Sequence, residues 1–329
     1  MNENEKDVKI ENEDELFVPI TQDMIQSEKI IAPRYSYWKS VFRIFFKKKT
    51  NIFLITVFVL IFLVAFIVPT FAPYVYDENI TLLAAQHLNP TKALEFFADK
   101  PECGPAIKWI LGTGAYGNSI LYGIISSART SLLLSVICAA INMTIGIILG
   151  AVWGYSKKFD AVMIVIFNIV ANVPYILLIS VLVYVIGAGF WSFIFALTVT
   201  GWLGIAYFFR TQVMIIRDRE YSLASRCLGT PIPRMVSKNI LPFLTSVIVT
   251  LLATELPSYI SSEVYLSYLG IGLSATVPSL GRMISQAQTG FTQYPWEFWP
   301  PVAIAAAITI ILYLLGQNLA DASDPRTHM

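Results

Sequence analysis

Charge is what this chain has least of. Only 14% of its 329 residues are Asp, Glu, Lys or Arg, and 23 basic residues almost cancel 22 acidic ones, leaving a net charge of +1. Such a balance supplies no basic field for a nucleic acid. Cysteine is scarce as well. Cys103, Cys138 and Cys227 are scattered without metal-ligand spacing, so neither a disulfide framework nor a metal site follows. No Gly-x4-Gly-Lys-Ser/Thr run occurs, which removes the loop that would cradle ATP phosphates. The amino end is acidic rather than a basic start to a short apolar core, so no cleavable signal peptide is expected.

Apolar sequence is abundant: 56% of the residues are hydrophobic. They come in blocks of about twenty, the length that crosses ~30 Å of hydrocarbon. The expected class is an all-α membrane protein with six transmembrane helices and both termini cytoplasmic. Residues 1–34 read as a solvated acidic tail. Residues 35–49 have Tyr35, Trp38, Val41, Phe42 and Phe45 at helical spacing opposite Lys39, Arg43 and Lys47, the pattern of an interfacial helix. Lys47, Lys48 and Lys49 hold that end in the cytoplasm, and the first span follows within 50–72. Residues 73–125 are mixed and polar and are assigned to the outside. Gly112, Gly114 and Gly117 match a dinucleotide fingerprint letter by letter, but they lead into a membrane span rather than a βαβ unit, so that reading is rejected.

The remaining spans are expected at about 126–153, 161–186, 190–216, 243–266 and 300–315. The third contains Pro174. The fifth is expected to be interrupted at Glu255 and Pro257, with short half-buried helices between residues 269 and 299. Lys157 and Lys158 keep the turn after the second span inside, and a tail at 319–329 returns to the cytoplasm.

One polar island, residues 217–240, separates the fourth span from the fifth. Asp218 and Glu220 favour a helix start, Arg226 suits a last turn, and Gly229 can take the left-handed conformation that ends a helix. The spacing predicts a rod of about 13 Å. Ala224 and Ser225 are small enough for a partner to approach, and Thr230, Pro231 and Pro233 turn the chain.

This island resembles the cytoplasmic EAA loop of ABC-importer permeases. Glu220, Ala224, Gly229, Leu241 and Pro242 match that loop, while Ser225 stands where a second Ala is usual. The likeness extends over most of the chain after Tyr35. Leu111-Gly112-Thr113, Tyr122-Gly123, Ala128-Arg129-Thr130-Ser131-Leu132, Leu266-Ser267-Tyr268-Leu269-Gly270-Ile271-Gly272 and Asp321-Ala322-Ser323-Asp324-Pro325-Arg326 resemble blocks of the second permease subunit in the oligopeptide, dipeptide and nickel branch, most closely its oligopeptide type. Gly114, Asn118, Ser119 and Tyr207 depart from its pattern. The resemblance implies the type-1 importer fold, with a transmembrane domain over 126–318. It also implies partners: a sister permease, two ATP-binding subunits that hold ATP and Mg, an external substrate-binding protein, and the bilayer of a bacterial cell membrane. This chain would be a transport subunit without catalysis or cofactor of its own, and Glu220, Leu223, Ala224, Ser225 and Gly229 would couple it to an ATPase.

Within the spans, Asn142, Asn168, Asn172 and Glu255 are polar groups that a pathway can use. For the three asparagines the competing role is interhelical hydrogen bonding, and for Glu255 it is capping a break at Pro257. Glu263 is expected near the outer gate. A secondary transporter is the rival of another class, but the chain has few buried charges and no visible repeat of halves. A channel is the third possibility, and no filter or ring of like charge is seen.

Overall fold

A computed structural model describes residues 37–79, 81–274 and 276–324. The acidic tail, Tyr35 and the stretch 325–329 with Pro325 and Arg326 lie outside the described residues. The chain divides into two units, Met1–Ser40 and Val41–Met329. Of the first, only residues 37–40 are described.

The described residues are almost wholly helical. α1 is Tyr37–Lys47, α2 Lys49–Phe71, α3 Pro90–Ala98, α4 Ile120–Tyr155, α5 Lys157–Ala171, α6 Tyr175–Ile186 and α7 Phe190–Arg217. α8 is Glu220–Cys227, α9 Thr245–Tyr268, α10 Leu280–Ala287 and α11 Pro295–Ser323. Five helices are long and apolar enough to cross a membrane, and α5 with α6 makes a sixth crossing if the bent pair counts as one.

Four expectations about the spans change. The third span is not one rod: α5 and α6 meet at 81° across residues 172–174, because Pro174 cannot donate to the ladder and biases the residue before it away from the helix. The fifth is not interrupted, since α9 runs through Pro257. The carbonyl left without its usual partner there is that of Ala253, four residues back, and α11 passes directly over it at Gly316, where a Cβ would lie 2.7 Å from the oxygen. The second span begins at Ile120 rather than near 126, because Ser119 caps α4 by accepting the Tyr122 N–H at 3.3 Å. The last begins at Pro295, with Trp296 and Trp299 in its opening turns.

Residues 73–119 build a small core of their own. Trp109 is fully buried and stacks on Phe97 at 3.7 Å. Of the glycine-rich run, Gly112 (φ +85°) and Gly117 (φ +66°) have left-handed backbone, and an isolated bridge pairs Thr113 with Ser119. The run is thus a tight hairpin-like turn whose carbonyl at Gly112 receives the Ile120 N–H at 3.3 Å, where α4 begins. The His87 ring contacts the Glu297 carboxylate at 2.6 Å and stacks on Tyr294, tying this segment to the start of α11.

The most extensive helix pair is α4 with α7. Gly146, Gly150 and Gly154 recur every four residues on α4, and a Cβ at Gly150 would stand 2.5 Å from the Ala206 carbonyl of α7. A Cβ at Gly154 would stand 2.6 Å from the Arg210 carbonyl. Small residues at that spacing allow two backbones to touch, the main source of helix adhesion in lipid. Gly150→Ala is therefore expected to lower stability by about 1–3 kcal/mol through overpacking. Gly204→Ala, where a Cβ would meet nothing within 4 Å, should be neutral or stabilising. Unfolding midpoints of the two variants in detergent check the contrast.

Candidate functional site

α8 begins at Glu220 after an extended Arg219 and is closed by two reciprocal bonds. The Gly229 N–H reaches the Arg226 carbonyl at 3.0 Å, and the Thr230 N–H reaches the Ser225 carbonyl at 3.3 Å. With Gly229 at φ +74° this is a Schellman closure, which ends the helix in one residue. Ser225, the departure from the double-alanine pattern, proves to be an anchor. Its Oγ accepts from Asn239 Nδ2 at 2.8 Å and pairs with the Thr230 hydroxyl at 3.1 Å. Asn239 belongs to a π-helical stretch, Met235–Ile240, whose Met235 and Ile240 are fully buried against Ala151 of α4 and Phe209 and Val213 of α7.

At its other end α8 is rooted through Arg217, whose Nη1 donates to the Gly154 carbonyl at 2.9 Å. The same guanidinium holds the exposed Asp218 carboxyl below the usual carboxylate range. α8 is therefore fixed at both ends to the close α4–α7 pair. Its outward side mixes exposed apolar residues, Leu223, Ala224 and the C-cap Leu228, the last exposed by 87%, with the charged Glu220 and Arg226. Exposed apolar residues on a short, doubly anchored helix suit docking to a partner.

A cluster that sequence reasoning missed sits beside this root. Asp160 accepts two bonds from Arg210, from Nε and Nη2, and a third from Trp153 Nε1 at 2.7 Å. It clamps α5 to α4 and α7. The sequence alone gave Asp160 no role; its partner is 50 residues away, and no local pattern pairs them.

The intramembrane polar residues divide. Asn142 is fully buried and donates to the Tyr259 hydroxyl at 2.6 Å and to the Leu197 carbonyl at 3.4 Å, joining α4, α9 and α7. Glu255 is half-buried and caps no break, because α9 has none at Pro257. Asn168 and Asn172 are exposed, and Asn172 Nδ2 donates to the Asn168 carbonyl at the end of α5.

Glu263 is enclosed completely. It accepts from Ser131 Oγ at 2.8 Å and Ser267 Oγ at 3.0 Å. Ser131 Oγ in turn accepts the Leu280 N–H at 3.2 Å, so the carboxyl ties α4 and α9 to the start of α10. Glu263→Ala would orphan two hydroxyls in a buried site, each at a cost of about 1–3 kcal/mol. Its unfolding midpoint should fall well below that of Glu263→Gln, which keeps the shape and one acceptor oxygen.

Residues 142–329 match the family of binding-protein-dependent transport system inner membrane components, and residues 36–90 match the N-terminal transmembrane domain of oligopeptide transport permease C. The chain is 44% identical over 316 residues to the oligopeptide transport system permease protein AmiD of Streptococcus pneumoniae, a match covering 95% of this chain and 98% of that one. To the oligopeptide transport system permease protein OppC of Bacillus subtilis it is 32% identical over 312 residues, covering 94% and 97%. To the dipeptide transport system permease protein DppC of the same organism it is 30% identical over 317 residues, covering 95% and 93%. Permeases of this kind work with an ATPase and a binding protein. The chain therefore belongs to the inner membrane components of binding-protein-dependent transport systems, as a multi-pass cell-membrane permease that transports and does not catalyse.

Proposed function

We propose that this permease is one of two membrane halves of an ATP-driven importer of oligopeptides. A sister permease supplies the other half, two cytoplasmic subunits hold ATP and Mg, and an extracellular binding protein delivers the peptide. The 44% identity to an oligopeptide permease over nearly the full length of both chains supports the substrate class. Both termini and the tails at 1–34 and 319–329 lie in the cytoplasm, residues 73–119 face outward, and the loop at 217–240 faces the ATPase.

The observation that carries the mechanism is the doubly anchored α8 with its exposed apolar residues. Glu220, Leu223, Ala224, Ser225 and Gly229 form the coupling element. ATP-driven closure of the nucleotide-binding subunits moves α8. Arg217 and Asn239 pass the displacement to the α4–α7 pair and the buried stretch behind it. A short helix fixed at both ends has little slack, so a difference in contacts at its tip becomes a difference in which side of the membrane the pathway faces. Asn142, Asn168, Asn172 and Glu255 lie along that pathway, and Glu263 stands near the outer gate.

Gly229→Val forces a β-branched residue into left-handed backbone, and Ala224→Asp puts a charge into an apolar contact. Each variant is expected to reach the membrane, yet to lose at least about 80% of ATP-driven peptide uptake, because a strained or charged contact of about 1–3 kcal/mol is about 5- to 150-fold in docking. Normal uptake by both would remove α8 from coupling. The sidedness has its own check. The exposed Cys227 of α8 should react with an impermeant maleimide in inside-out vesicles and not in right-side-out ones.

A further inference from the structure

The segment before α4 and the first turn of α11 enclose a small cavity that the coupling mechanism does not use. Its volume is about 60 Å³, the share of about two water molecules in the liquid. Tyr74, Tyr76, Tyr116, Asn118 and Glu297 line it, with Met283 of α10 as an apolar wall. Ala115 and Gln286 also line it and are exposed, so it opens to solvent.

The lining is rich in unused acceptors. Asn118 is only 7% exposed. Its Nδ2 donates to the Tyr74 hydroxyl at 2.6 Å, while its Oδ1 has no hydrogen-bond partner, a costly state for a buried acceptor. That oxygen lies 3.0 Å from where a Cβ at Gly114 would stand, and Gly114 is itself part of the lining, so the missing side chain leaves room in front of it. Glu297 turns Oε1 to the His87 ring at 2.6 Å, and its Oε2 takes no hydrogen bond among the described residues. The Tyr76 and Tyr116 rings stand 4.8 Å apart at 44°, and the Tyr76 hydroxyl accepts from Gln286 Nε2 at 2.8 Å. Arg282 acts on Tyr76 electrostatically but is not part of the lining, so the cavity wall has a carboxylate and no cation.

A carboxylate oxygen, an amide oxygen and aromatic rings around one hole are complementary to a cation that donates N–H bonds. The size of the hole narrows the choice. A lysine ammonium is a compact head with three donors on an unbranched stem. The amino end of a peptide is attached to a branched carbon that carries a side chain and a carbonyl, and the hole has no room for these. We propose that this cavity seats a lysine ammonium of the external binding protein when that protein docks. The inference rests on the outward placement of residues 73–119 and on the binding-protein partner, and it adds the group by which that partner is held.

The assembled importer in nanodiscs is titrated with fluorescently labelled binding protein, native or lysine-acetylated, and n-butylammonium or n-butanol is added as competitor. Two variants are compared with the wild type: Glu297→Gln, which keeps the shape but not the charge, and Gly114→Ala, which puts a methyl group before Asn118 Oδ1. The expected result is docking weakened about tenfold or more in both variants and on acetylation. Butylammonium should displace the native binding protein from the wild type, butanol should not, and butylammonium should lose its effect in Glu297→Gln. Unchanged docking in both variants, with butylammonium no more effective than potassium chloride at equal ionic strength, overturns the inference and leaves the import reading standing. Displacement of butylammonium by a pentapeptide with a free amino end, but not by its acetylated form or by the binding protein, overturns the lysine assignment in favour of the peptide. Docking of the binding protein to sealed inside-out vesicles and not to right-side-out ones ends the outward placement and this inference with it.

Discussion

The molecule depends on how closely two helices approach each other. In lipid the hydrophobic effect does not drive helices together, since acyl chains are as apolar as leucine; adhesion comes from packing and hydrogen bonds. Gly146, Gly150 and Gly154 let α4 lie against α7 with no side chain between them. On the other side of the bundle Gly316 of α11 does the same against Ala253 of α9. Trp153, Phe209, Val213 and Leu197 fill the space around the first contact and are buried almost completely. The remaining helices are arranged around this pair, and α8 is rooted in it.

Polar groups then fix what packing alone leaves free. The Asp160–Arg210–Trp153 clamp sets α5 against the pair, the Asn142–Tyr259 bond sets α9, and Glu263 with Ser131 and Ser267 sets the start of α10. Each joins segments far apart in sequence, and each is satisfied largely by neutral or paired donors, as buried polar groups in a low-dielectric medium must be. The α5–α6 junction is the exception. There the backbone is left exposed beside a cavity, and such a departure from local consistency is where function is expected.

A short line of bonds links the root of α8 to the broken crossing. Arg217 bonds the last turn of α4, Arg210 lies two turns before it on α7, and its partner Asp160 opens α5, whose far end is the break.

The sequence by itself determined the all-helical membrane class, the apolar blocks of five to six crossings and the short helix at Glu220–Cys227, because each rests on local signals. Twenty-residue apolar runs, lysines at span ends, a Glu start and a Gly229 stop act within a few residues, and the helix at Glu220–Cys227 lies where those signals put it. Local signals misjudged Pro174 and Pro257. Gly316 of α11 packs over the carbonyl of Ala253, four residues before Pro257, whereas the backbone at 171–175 is exposed. Only the tertiary structure decided these two outcomes, together with the anchor role of Ser225 and the pairing of Asp160 with Arg210. Such partners lie 14 and 50 residues apart in the chain, and no periodicity along a sequence encodes which distant groups the packing of helices in lipid will bring within 3 Å.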